Sequence, residues 1–180
     1  MKIDKSESTL LIVDLQARLL PAIEEGATVL ENALWLIGIA KRLGVPILVT
    51  EQYPQGLGRS ASEIVDALPA EAFIEKKSFS AVMEGRLLRA PGADRKQWVV
   101  AGAEAHVCVQ QTVLDLLASG REVFIVDEAV GSRRGRDKEL ALQRMQRHGA
   151  DVVSREMVAF EWLEEADTDI FRDILKGFIR

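Results

Sequence analysis

A chain of 180 residues, 48% apolar and 28% charged, has the composition of a folded domain and not of a disordered segment, and a chain of that size buries roughly 70% of its unfolded surface. The net charge of −5 argues against nonspecific nucleic-acid binding, which needs a clustered positive face. The single cysteine excludes an intramolecular disulfide and a cysteine-rich zinc site.

The opening stretch MKIDKSESTLLIVDLQ is too charged for a secretory signal, and no apolar run approaches the ~18 residues of a membrane span. The expectation is a soluble, cytoplasmic chain with no membrane or nucleic-acid partner, forming one domain over residues 1–180.

In chain order, the apolar runs are STLLIVD (8–14), VPILVT (45–50), AFIEK (72–76), QWVVAG (97–102), EVFIVDE (122–128) and DVVS (151–154). All but the third are dense in β-branched or bulky residues and bounded by turn or charged residues, as buried parallel strands are. Between the first two, Leu30, Leu34, Ile37 and Lys41 mark a helical stripe that Gly44 ends. Ser60 three residues before Glu63 spells a capping box, which predicts a helix over SASEIVDAL. Further helices are predicted over 137–147, 157–165 and from Thr168 onward. Strands alternating with helices imply a parallel sheet covered on both faces, with ligands bound where strand order reverses at the carboxyl edge. That edge carries Asp14, Thr50 to Tyr53, Lys76, Gly102 to Cys108 and Asp127.

Cys108 falls at the first turn of the helical pattern VCVQQTVLDLLASG. Helix N-termini favour anions, so a reactive thiol there is expected to be acidified; the competing reading is a small buried hydrophobe. Asp14 ends its run and is either a general base for that thiol or a helix cap or ion-pair partner. One of Lys76 and Lys77 points at the site, or both sit on a solvated turn. His106, two residues before the cysteine, does not share its helical face and reads as rim or structure; His148 precedes Gly149 as a helix-end residue. GLGRSA (56–61) spells a dinucleotide fingerprint, but EQYPQ separates it from the preceding strand, where the fingerprint demands a tight turn. Gln16, Gln52 and Tyr53 are pocket-lining candidates by strand-end position, and Arg133 or Arg134 of GSRRGRDK is a candidate for holding a substrate carboxylate, the competing reading being a solvated basic turn.

Together, LLIVDLQ, IEKKSFS and GAEAHVCVQQTVLDL resemble, in order and spacing over roughly residues 8 to 155, the isochorismatase-like cysteine hydrolase superfamily, which includes isochorismatases, nicotinamidases and carbamoyl-amine amidohydrolases. The segment EAHVCVQQT is most similar to isochorismatase-domain proteins of unassigned substrate. The resemblance implies a three-layer α/β/α fold with a six-stranded parallel sheet in the Rossmann-like order 3-2-1-4-5-6. It implies a triad of Asp14, Lys76 and Cys108, with Lys76 chosen over Lys77 by the spelling K-x-x-F-S. It further implies a non-proline cis peptide between Glu104 and Ala105 that turns backbone amides toward an oxyanion. TEQYPQGLG lacks the histidines with which nicotinamidases bind metal, so neither a metal nor another cofactor is expected. The function so implied is hydrolysis of a small molecule at an amide C–N, ether or ester bond through a covalent thio-intermediate, by a homo-oligomer of two or more copies. The alternative from another class is a non-catalytic oligomeric scaffold or partner-binding module on the same fold.

Overall fold

The structure, a computed structural model, describes residues 1–179. Six strands, β1 (Ser8–Val13), β2 (Ile47–Gln52), β3 (Phe73–Lys76), β4 (Gln97–Ala103), β5 (Glu122–Gly131) and β6 (Asp151–Val153), form one sheet in the order β3-β2-β1-β4-β5-β6. Every neighbouring pair is parallel. Seven α-helices accompany them among the described residues: α1 (Gly26–Leu43), α2 (Pro54–Leu57), α3 (Ser62–Ala67), α4 (Gln110–Ala118), α5 (Gly135–Arg147) and, after the last strand, α6 (Arg155–Leu163) and α7 (Asp169–Ile174). This is the expected α/β/α arrangement, and strand order reverses between β1 and β4.

The strands read as continuous apolar runs because both faces of the sheet are covered. Leu10 and Ile12 of β1 join one core with Val99 and Ala101 of β4 and with α1 and α6. Leu11 and Val13 join the other with Trp98 and Val100 and with α4 and α5. The alternation is the period-2 pleat, each successive side chain entering the opposite layer. The third run is weak because β3 is a four-residue edge strand, half-exposed along most of its length.

Three local readings differ from the sequence expectation. The buried line of α1 is Val29, Ala33, Leu36, Ile37 and Ala40, while Lys41 is exposed and donates to the Ala67 carbonyl at 2.6 Å; the true stripe lies a residue N-terminal to the one spelled by the leucines. α3 is present, but Ser60 does not cap it, because the Ser60 amide and hydroxyl both go to the buried Glu51 carboxylate at 2.8 and 2.9 Å. β5 runs three residues past Glu128 through a register shift, in which Val100 pairs with Ile125 and Gly102 with Val130. The shift leaves Asp127 exposed, 3.3 Å from the Lys138 ammonium and away from the site.

Candidate active site

Asp14 is the first residue beyond β1, turned into the left-handed region at φ 50°, a conformation that aspartate tolerates better than most residues. Its amide donates to the Thr50 carbonyl at 3.1 Å, and the Thr50 hydroxyl donates to Asp14 Oδ1 at 2.7 Å. Beneath it β4 comes unusually close. Gly102 has φ 134°, and a Cβ there would collide with the Val13 backbone, so only glycine lets the two central strands pair at the switch point.

Lys76 ends β3, and of the two candidate lysines it is the one turned inward; Lys77 is exposed. Its ammonium lies 2.7 Å from Asp14 Oδ2, 2.6 Å from Gln52 Oε1 and 3.0 Å from the Phe79 carbonyl, with the Ser78 carbonyl at 3.3 Å. The Asp14–Lys76 side chains are essentially inaccessible, so each charge depends on the other for what water no longer supplies.

Cys108 belongs to a π-helical turn, Ala105–Val109, that leads from β4 into α4. It is 7% exposed, and its sulfur is 4.0 Å from Gln52 Oε1. The expectation of an acidified thiol is overturned: burial first, and then the negative charge of Asp14, push the thiol up to about 12, with Lys76 pulling the other way. The thiol is therefore protonated at neutral pH, and any reaction at sulfur has to remove the proton as it proceeds.

The chain thus brings Asp14, Lys76, Gln52 and Cys108 to one point at the carboxyl edge, while the other candidates lie around it. The cis peptide is between Ala103 and Glu104, one residue earlier than the resemblance implied, because β4 extends through Ala103 and the backbone turns directly at its end. Val107 and Val109 donate to the Glu104 carbonyl at 3.0 and 3.2 Å, and the Glu104 carboxylate accepts from the amide and Nε of Arg133 at 3.2 and 2.9 Å. Arg133 therefore stands at the rim, exposed but tied to the nucleophile turn. His106 makes a second tie to the same loop through Nδ1, 3.0 Å from the Ser132 hydroxyl, and His148 closes α5 at the surface.

Gln16 does not line a pocket. It is fully buried, and its amide bonds the Gln52 amide and carbonyl at 2.7 and 2.9 Å and the Gly58 carbonyl at 2.7 Å. Tyr53 is half-exposed at φ 38°, beside a cavity of about 320 Å³ that Lys76, Lys77, Glu84 and Arg86 also line. A cavity of about 370 Å³ between α1, β5 and α5 contains none of the clustered residues. In GLGRSA, Gly56 lies inside the short α2 and Ser60 bridges Gln16, so the glycines are not at a strand-to-helix turn. Among the described residues no group of three or more His, Cys, Asp or Glu side chains is arranged to hold a metal, and no helix is long and apolar enough to cross a membrane. The roles of Thr50 and Glu104 as carboxylate partner and loop tie had no signal in the sequence, since both depend on strand neighbours far apart along the chain.

Residues 8–157 match the isochorismatase domain family. The chain is 37% identical over 164 residues to isochorismatase domain-containing protein 1 of Salmo salar, covering 89% of this chain and 57% of that protein; it thus spans little more than half of that relative's length. Among solved structures, the MAR1 ribonuclease of Caenorhabditis elegans superposes with a TM-score of 0.90 at 30% identity, over 100% of this chain and 93% of that one. The Escherichia coli YcaC gene product, described as an octameric hydrolase of unknown specificity, superposes with a TM-score of 0.91 at 26% identity, over 99% and 91%. By a domain match over most of its length and by these likenesses in sequence and fold, the chain belongs to the isochorismatase family.

Proposed function

We propose that this protein is a hydrolase of small molecules, cleaving an amide C–N, ether or ester bond with Cys108 as nucleophile, Asp14 as general acid–base and Lys76 as their electrostatic partner. The observation that carries the reading is a buried ion pair, Lys76 Nζ to Asp14 Oδ2 at 2.7 Å, beside the sole thiol of the chain at the switch point of the sheet.

For an amide substrate, Asp14 takes the thiol proton as sulfur attacks the carbonyl carbon, and the carbonyl electrons move onto oxygen. Proton transfer accompanies attack because a thiol at about 12 offers almost no thiolate beforehand. Backbone amides of the turn after Glu104, that of Cys108 among them, hold the oxyanion. Its collapse breaks the C–N bond, and Asp14 returns the proton to the leaving nitrogen. Water then adds to the thioester while Asp14 accepts its proton; the C–S bond breaks and the proton goes back to sulfur. Lys76 holds the Asp14 carboxylate by the ion pair and offsets negative charge on sulfur. Tyr53 and Arg133 face the substrate at the rim. The octameric neighbour supports a homo-oligomer, which light scattering would report as a multiple of the 19.9 kDa chain. The ribonuclease name of the other neighbour is not carried over, because a net charge of −5 disfavours an RNA backbone.

The test is a screen of small amides and esters with intact-mass detection. The expected result is turnover together with a substrate-derived adduct on the native protein, and loss of both in a folded Cys108→Ala variant. Turnover retained in that variant would refute covalent catalysis. The near-complete burial of Cys108 favours a second reading, a non-catalytic scaffold, which predicts no alkylation of the native thiol at any pH below unfolding.

A further inference from the structure

We propose that Gln52 is a positioning residue that holds the Lys76 ammonium across the sheet, between Asp14 and Cys108, and is not a substrate ligand. The inference rests on the reading of Cys108 as the reacting thiol and assigns the group that sets its polar surroundings.

The need for such a residue is topological. β3 does not touch β1; β2 lies between them. Adjacent strands are ~4.8 Å apart, so Lys76 must cross roughly 10 Å to reach a carboxylate at the end of β1. The crossing passes over the end of β2, and the residue found there is Gln52, the register partner of Lys76. An extended lysine has four rotatable bonds, and without support at mid-span its ammonium has several alternative positions.

An ammonium has three hydrogens to donate. Asp14 Oδ2 at 2.7 Å, Gln52 Oε1 at 2.6 Å and the Phe79 carbonyl at 3.0 Å take the three, with the more distant Ser78 carbonyl at 3.3 Å sharing the last with Phe79. The Phe79 carbonyl belongs to the segment following β3 and so comes from the same side as the lysine itself. Asp14 and Gln52 are thus the anchors supplied by the other two strands. With its hydrogens so committed, Lys76 acts on the thiol by charge and not as a hydrogen-bond donor to substrate.

Gln52 is itself locked. Its Nε2 donates to the Lys77 carbonyl at 2.6 Å, which fixes the amide so that oxygen, not nitrogen, faces Lys76 and the sulfur of Cys108. Its backbone is clasped on both sides by the buried Gln16 amide, two residues after Asp14. Both polar ends of the Gln52 side chain are therefore occupied, which leaves a substrate nothing to displace without releasing the lysine.

The charged groups acting on the thiol are Asp14, from the end of β1, and Lys76, from the end of β3, and only Lys76 favours the thiolate. Removing the Gln52 oxygen frees one ammonium hydrogen to turn toward sulfur and deletes an acceptor that stabilises the protonated thiol. Iodoacetamide labelling of native Cys108 as a function of pH reads this directly. Gln52→Leu is expected to lower the labelling midpoint by about half a pH unit or more, roughly threefold in rate at a fixed pH below it. In a Lys76→Met background the same substitution is expected to cause a clearly smaller shift, because the part that runs through the ammonium is gone and only the lost acceptor remains. Gln52→Glu, nearly isosteric, is expected to raise the midpoint by adding negative charge beside the sulfur.

A Gln52→Leu shift of equal size with and without Lys76 would mean local opening of the site and would overturn the proposal. So would an unchanged midpoint in Gln52→Glu, which also serves if the leucine variant does not fold. These readouts need no substrate. Failure to find any hydrolysed compound would count against the proposed function alone, and an unmoved titration in an active enzyme against this inference alone.

Discussion

Asp14 has one side-chain donor on each oxygen, Lys76 on Oδ2 and the Thr50 hydroxyl on Oδ1. The second bond has no solvent substitute, since both residues are fully buried. Thr50→Val keeps the shape and removes only the hydroxyl, which leaves a buried carboxylate with a bond unmade. A hydrogen bond to a charged group contributes about 1.5–3 kcal/mol, and a loss of that size is expected in urea unfolding. On the proposed mechanism turnover should fall with it, because the Thr50 hydroxyl is one of the two side chains that hold the Asp14 carboxylate in place. Unchanged stability in Thr50→Val would mean that the buried carboxylate has found another donor. At this scale the sequence reading was uneven for a physical reason. The positions of Asp14 and Cys108 are legible because one ends an apolar run and the other starts a helix, whereas the choice of Lys76 over Lys77 came only from the family resemblance; the structure brings the three side chains together. Gln16 was placed on the wrong side of the pocket wall, because strand-end position does not say whether a side chain meets substrate or backbone.

The strands were legible as elements because a sheet buried on both faces must be written as uninterrupted apolar runs, and five of the six announce themselves that way. Boundaries were less so. Nothing local marks the register shift that extends β5 to Gly131, since it depends on pairing with β4. The Ser60 capping box failed because a buried carboxylate, Glu51, competes for the same hydroxyl more strongly than a short helix does. The chain's last element shows packing of the same long-range kind. The π-helical turn Leu175–Ile179 docks on α1 through Phe178, whose ring meets Trp35 edge-on at 6.3 Å and lies 4.7 Å from the Arg42 guanidinium. The Phe178 carbonyl also accepts from Trp35 Nε1 at 2.8 Å, and a side chain at Gly38 would collide with the ring. Phe178→Ala is expected to cost about 1–3 kcal/mol, less than a fully buried phenylalanine because the ring is half-exposed. Hydrogen exchange should accelerate in the last turn while the sheet stays protected. Protection retained at Leu175–Ile179 would mean that the aromatic contact does not hold the tail.

For the molecule as a whole, the site places an ionisable thiol where folding favours its neutral form. In the unfolded chain the cysteine loses its proton near pH 9.0, whereas in the folded protein burial and Asp14 hold it to about 12. Between those values the unfolded state binds fewer protons than the folded state, so stability declines as pH rises. Below pH 9.0 both states keep the proton and the contribution is complete. The slope that one such group imposes is at most about 1.4 kcal/mol per pH unit. Lysines and the tyrosine titrate in the same range, so the thiol is isolated by difference. Cys108→Ser retains a hydroxyl donor but does not ionise there, and its stability should fall less steeply than that of the native chain from pH 9 to 11. Parallel curves would mean that the thiol ionises as easily in the folded protein as in the unfolded chain. A thiol near 9.0 is still about 99% protonated at pH 7, so Asp14 would still be needed as the base, but burial and the Asp14 charge would not be what holds the proton.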